Sequence, residues 1–255
     1  MKPSLQNEYR SPPLVEAVFE IFLDGALPTS WSEDSFSDAQ KLFPEFTFHE
    51  ESLEDYAFMV RVAPNNSVSQ AMSRAPRRLR WWDEPRQRAI QFSSHMCAYN
   101  VLVEAYGHFE DHLETLRRIL GFFIAEARPK SIPWVGQRYL NSIKIPQEES
   151  DVASYFAIYP RLPEEIGEGH IQFTLQLQTA VFEQGDVQVG FYPGKPNSEG
   201  DAIPYILDVS ARSVGNIEPD ANQILSWQQN AHEHVNRAFE LCVSDRSRKE
   251  IFGLE

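Results

Sequence analysis

The sequence predicts an α+β fold: a curved antiparallel sheet with long helices packed on one face. Three observations predict it. Residues 170–182 (HIQFTLQLQTAVF) alternate strictly over Ile171, Phe173, Leu175 and Leu177, the period of a strand with one buried face. Two long segments keep a single apolar stripe at helical spacing instead. The order of elements then restarts after 128–133 (RPKSIP), a natural linker.

In chain order, 14–23 (LVEAVFEIFL) reads as a strand, with Glu16 and Glu20 on one face. Ser32 is a suitable N-cap, Glu33 and Asp34 favour the positive end of a helix, and Phe36, Ala39, Gln40 and Phe43 follow at helical spacing up to Pro44. Strands are expected over 56–62 and 96–103, with a loop at 64–67. Residues 79–82 and 88–93 flank Asp83-Glu84-Pro85 as a hairpin. The first long helix is expected over 106–127, with Tyr106, Phe109, Leu113, Leu116, Leu120, Phe123 and Ala127 on its stripe. A long strand over 134–145 and a short helix through Tyr155 follow the linker. A hairpin of 170–182 with 187–192 and a strand over 204–212 come next. Asp220 then precedes a helix to about Val243.

Each half, 1–130 and 131–255, can thus be written strand, helix, about four strands, long helix, either as two units or as one continuous domain. A duplicated β-α-β4-α order resembles the TATA-binding-protein-like, or helix-grip, architecture. That resemblance implies long helices side by side on a curved sheet.

Composition narrows the function classes. With 255 residues, 42% hydrophobic and 24% charged, the chain is neither disordered nor fibrous. No apolar run approaches the ~20 residues a membrane helix needs. The first ten residues hold no apolar stretch, so no signal peptide is expected, and two cysteines fit a reducing cytoplasm. A net charge of −14 disfavours general binding to polyanions. One segment breaks the balance: Arg74, Arg77, Arg78, Arg80, Arg86 and Arg88 surround Trp81 and Trp82, opposed only by Asp83 and Glu84. Arginine with tryptophan suits a protein-binding hot spot, or phosphate contact with base stacking.

Reactive motifs are few. No Walker loop, nucleophile elbow or dinucleotide fingerprint occurs, and no cofactor is expected. Glu104, His108 and His112 would share one helical face, a weak metal pattern. His232 and His234, two apart on a helix, point to different faces, and His232 is expected to be a hydrogen-bonded structural residue. Cys97 lies near His95 without an orienting third group, so both cysteines read as buried thiols. Glu16 and Glu20 read as an exposed strand face before a carboxylate pair. Arg138, Tyr139 and Asn141 are polar in an apolar strand, and Arg138 is expected to form a buried ion pair with Asp208 across the sheet.

Several ordered pieces carry a family resemblance: SPPLVEAVFE from Ser11, IQFS from Ile90, then Asn100 and Tyr106, RYLNSIKIP from Arg138, and Trp227, His232, Phe239 and Phe252-Gly253. Their order resembles a sporadically distributed bacterial family of similar length and unknown function, over nearly the whole chain. Patchy occurrence of that kind implies antiphage defence or toxin control. The expected function is non-enzymatic binding of another macromolecule through protein–protein contacts, with the 74–88 arginines and tryptophans as the surface. Nucleic-acid binding by the sheet or that hairpin is the alternative, and a small apolar ligand beneath the last helix is a third reading. A protein partner is expected and a membrane is not.

Overall fold

The chain is described from a computed structural model over residues 9–23, 33–51, 56–62, 68–74, 78–92, 96–160, 173–182, 185–195 and 201–254. Its elements are β1 (Leu14–Phe22), α1 (Glu33–Leu42), β2 (Phe46–Glu51), β3 (Tyr56–Val62), β4 (Val68–Arg74), β5 (Arg78–Asp83), β6 (Arg88–Phe92) and β7 (Met96–Leu102). After them come α2 (Leu113–Ala127), β8 (Trp134–Pro146), β9 (Leu175–Phe182), β10 (Gly185–Pro193), β11 (Ala202–Ser213) and α3 (Ala221–Cys242).

One antiparallel sheet of nine strands runs β2-β5-β6-β7-β1-β8-β11-β10-β9, and β3 pairs with β4 in a separate hairpin. In each half the last strand returns to the first: β7 lies on β1 and β11 on β8. The first strands of the halves also pair, Phe19 opposite Gln137 and Ala17 opposite Tyr139. The sheet therefore passes unbroken from residues 1–130 into residues 131–255.

Strand alternation sorts side chains to two faces. Phe19, Ile21, Ile90, Phe92, Tyr99, Val135, Tyr139, Leu207, Val209, Val187 and Phe191 turn to one side and are buried. α3 lies against β8, β10 and β11 on that side, and against α2. Its Ile224, Trp227, Ala231, Val235 and Phe239 recur at the three- and four-residue steps that make one face of a helix, and all are buried. α2 contributes Phe122 and Phe123, whose rings sit 5.9 and 5.8 Å from Phe92.

Several local expectations change. The helix expected from residue 106 begins at Leu113. Before it lie two 3-10 turns, Val103–Ala105 and Phe109–His112. His108 is extended, and the Asp111 carboxylate accepts its backbone N–H at 2.8 Å, a cap that stops the helix from reaching further back. The short helix after β8 is a 3-10 turn, Val152–Tyr155. Strand pairing for the expected 170–182 strand is seen over Leu175–Phe182, and residues 170–172 lie outside the described residues. α3 begins as expected, with Asp220 Oδ1 accepting from Gln223 N at 2.9 Å. Among the described residues no helix is long and apolar enough to cross a membrane.

Candidate functional site

The arginine and tryptophan segment divides once folded. Trp81 faces the core with 1% exposure, its ring 5.0 Å from Phe48 and 5.3 Å from Phe92, so it offers no surface to a partner. Arg88 is half-buried and gives its Nε proton to Asp83 Oδ2 at 2.8 Å. The other oxygen of Asp83 accepts the backbone N–H of Gln87 and Arg88, which fixes the turn. Arg88 and Asp83 are thus committed to the hairpin itself. Arg86 is exposed at the turn with φ 69°. Arg80 and Trp82 point to the opposite face from Trp81, with the guanidinium 5.7 Å from the indole centroid. Arg74 ends β4 and Arg78 opens β5, and their side chains, like the whole of Arg77, lie outside the described residues.

Two other arrangements stand out, one on each face of the central strand β8. Toward the helices, β8 presents Gln137, Tyr139 and Asn141 in a row, all buried. Every second residue of a strand advances about 6.6 Å. α3 faces this row with Gln228, His232 and Asn236, and every fourth residue of a helix advances about 6.0 Å. The two polar rows therefore climb almost in step. They meet where Tyr139 Oη lies 2.6 Å from His232 Nδ1. Gln137 Nε2 donates to the same hydroxyl at 2.8 Å, Tyr106 Oη lies 2.7 Å from it, and Asn236 Nδ2 is 3.1 Å from His232 Nε2.

Burial lowers the His232 pKa to about 4 and pushes the Tyr139 and Tyr106 hydroxyls well above their ordinary range. The cluster is therefore neutral at neutral pH. These distances fit a His232 that donates from Nδ1 to Tyr139 and accepts at Nε2 from Asn236, with Tyr139 donating to Tyr106, and they fit the reverse tautomer equally well. An imidazole this acidic is a poor general base, and raised phenols do not ionise. What the geometry does well is fix α3 on the sheet. Gln137 Oε1, Asn141 Oδ1, Gln228 Oε1 and His112 Nε2 are buried without a protein partner, the kind of atom that ordered water satisfies.

Away from the helices, β8 presents Trp134, Gly136, Arg138 and Leu140. Trp134 is stacked on Phe22 of β1 (centroids 3.6 Å apart), and the Arg212 guanidinium of β11 lies 4.4 Å from the indole. Gly136 makes room for this stack. A Cβ there would come 2.8 Å from the Trp134 ring. Beside it, Arg138 forms a two-pronged pair with Asp208, Nε–Oδ1 2.8 Å and NH2–Oδ2 2.5 Å. The expected ion pair is present, but its side chains are 44% and 20% exposed, because both residues take the outward parity of their strands. On the same face Asn100 takes a hydrogen bond from Gln91 and gives one to Glu16 at 2.7 Å. Glu16 and Glu20 share this face about 13 Å apart along β1, too far to work as a pair.

The remaining expected chemistry does not assemble. His108 is off the helix and His112 is buried beneath Tyr106, so Glu104, His108 and His112 share no helical face. Among the described residues no three His, Cys, Asp or Glu side chains gather closely enough to hold a metal. His234 stacks on Phe182 at 4.5 Å, on a different side of α3 from His232, and Cys97 and Cys242 are buried thiols whose pKa values burial raises.

Comparison with models of protein families and with curated proteins returns no match. Sequence reasoning missed the Phe22–Trp134–Arg212 stack, since its members lie far apart in the chain. The available signal was Trp134 at the outward parity of β8, two residues before a glycine.

Proposed function

We propose that this protein works by binding another protein through the sheet face that turns away from α2 and α3, with Trp134 at the centre of the contact. The observation that carries this reading is the Phe22–Trp134–Arg212 stack, a preformed aromatic and guanidinium platform on that face. Tryptophan and arginine dominate binding hot spots because each covers much apolar surface and still offers directed donors. Holding the ring flat over Gly136 reduces the ordering cost of docking. The surroundings favour a protein over a polyanion: Glu16, Glu20, Asp186 and Asp208 interleave with Arg80, Arg138, Lys144 and Arg212, so the face has no basic excess for phosphates. The resemblance to a sporadically distributed bacterial family suggests a regulatory, toxin-control or antiphage-defence setting.

We also read the chain as two copies of one unit. The return of β7 to β1 and of β11 to β8 supports this, as does a long helix closing each half. The second copy has three strands in its meander and a 3-10 turn in place of the first helix.

Affinity capture from the source cell tests the binding reading. Trp134→Ala and Arg212→Ala should each lose the captured protein, while Leu241→Ala, exposed on the far side of α3, should keep it. Equal capture by all three variants would move the surface elsewhere. A pure protein that captures nothing and turns over a substrate would end the proposal.

A further inference from the structure

The two edges of the sheet are built differently. β2 forms one edge, and its sequence Phe46-Thr-Phe-His-Glu-Glu51 includes two charged residues. β9 ends the other with Leu175-Gln-Leu-Gln-Thr-Ala-Val-Phe182, which holds neither a charge nor a proline. Its pairing with β10 is regular from Leu175 to Ala180 and shifts only beyond it, at Gly185/Asp186. Gln176, Leu177, Gln178 and Thr179 are all exposed, four in succession. Leu177 shares the helix side with Val189, its partner on β10, yet remains 44% exposed. Among the described residues no strand pairs with the outer side of β9, and an uncharged edge of this length presents backbone donors and acceptors in strand spacing, which native proteins that stay monomeric protect.

We propose that β9 is a pairing edge for a second copy of this chain, joined antiparallel about a two-fold axis at Leu177. The sequence of β9 is complementary to itself in that register. Leu177 meets its own copy, Gln176 meets Gln178, and Leu175 meets Thr179, so the amides pair on one face of the joint and the leucines lie on the other. The match continues a row already present, since Gln178 sits opposite Gln188 on β10. Charge argues for the same place. Two chains of net charge −14 repel, and the joint is formed from a strand that carries none of that charge. Paired edges also cover Leu177.

Sedimentation equilibrium on the full chain tests the pairing. The expected mass is twice 29.3 kDa. Gln176→Lys with Gln178→Lys sets lysine against lysine twice across the axis and should weaken the dimer about tenfold or more. Gln176→Glu with Gln178→Lys sets glutamate against lysine in the same register and should restore it, the lysine standing beside Asp186, to which Gln178 donates. Circular dichroism of each variant separates loss of pairing from loss of fold. A wild-type mass of 29.3 kDa at every concentration would overturn the proposal, as would a dimer indifferent to the double lysine variant. Capture through Trp134 does not depend on β9, so either proposal can fail while the other stands.

Discussion

The two faces of β8 show how one strand handles polarity in two settings. Its inward residues Gln137, Tyr139 and Asn141 are buried and their cluster is neutral, held by hydrogen bonds to one another and to α3. Its outward residue Arg138 stays charged, half-exposed, and paired with Asp208. Buried polar groups lose the full desolvation cost when a partner is removed, whereas exposed ion pairs exchange protein contacts for water at little net change. The inward row should therefore dominate stability, and the outward stack should matter for recognition.

The sharpest break between the faces is Tyr139→Phe. It removes one hydroxyl and strands three partners: Gln137, Tyr106 and His232. We expect a loss of about 4 kcal/mol in unfolding free energy, summing several orphaned groups in a low-dielectric site. Urea denaturation measures it. A cost below about 1 kcal/mol would mean that water replaces the hydroxyl freely and that the row is not closed.

Acid should act on the same face. His232 has a folded pKa of about 4, against about 6.5 for an ordinary histidine. Between those values the unfolded chain binds the extra proton, so stability falls as pH drops from about 6.5 to about 4 and then levels off for this group. The span corresponds to about 3 kcal/mol. His112, also lowered by burial, adds in the same direction. His232→Gln should flatten this slope in a series of thermal melts. An unchanged slope would place the acid sensitivity in other groups.

This inward row was only half legible in the sequence. Tyr139 and Asn141 are visibly polar within an apolar strand, and His232 sits at the edge of a helical stripe. Their meeting depends on β8 lying at the centre of the sheet beneath α3, a non-local fact that no spacing within either element encodes. Strand β9 and helix α3 were plain because alternation and the 3.6-residue period are local. The start of α2 was not. Apolar residues 106 and 109 fit the helical stripe, but the Asp111 side chain caps the backbone locally and breaks the helix. Trp81 misled for a related reason. Neighbouring strand residues point to opposite faces, so Trp81 and Trp82 could never share one surface.

On the outward face, Gly136→Ala should cost about 1–2 kcal/mol, because the new Cβ must push the Trp134 ring off the sheet. The specific readout is Trp134 itself. Its quenching by an added solute should rise as the ring leaves Phe22 and Arg212. Capture of the proposed partner should fall with it. Stability lost without any change in quenching would separate Gly136 from the stack.

The smallest effect is expected at Arg138 and Asp208, and it tests the comparison from its weak side. Two parallel hydrogen bonds give this pair good geometry, and the Asp208 hydrogen bonds hold the Arg138 pKa above its usual range. Yet water reaches both side chains, and screening by solvent and salt removes most of the Coulomb gain. A double-mutant cycle of Arg138→Ala and Asp208→Ala should give a coupling of about 1 kcal/mol or less, shrinking further with added salt. Removing Arg138 alone should not approach the cost of Tyr139→Phe, although the two residues are adjacent in sequence and similar in reach. A coupling above about 2 kcal/mol that resists salt would show that this face is drier than its exposure implies. The two sides of β8 would then be held by the same kind of force.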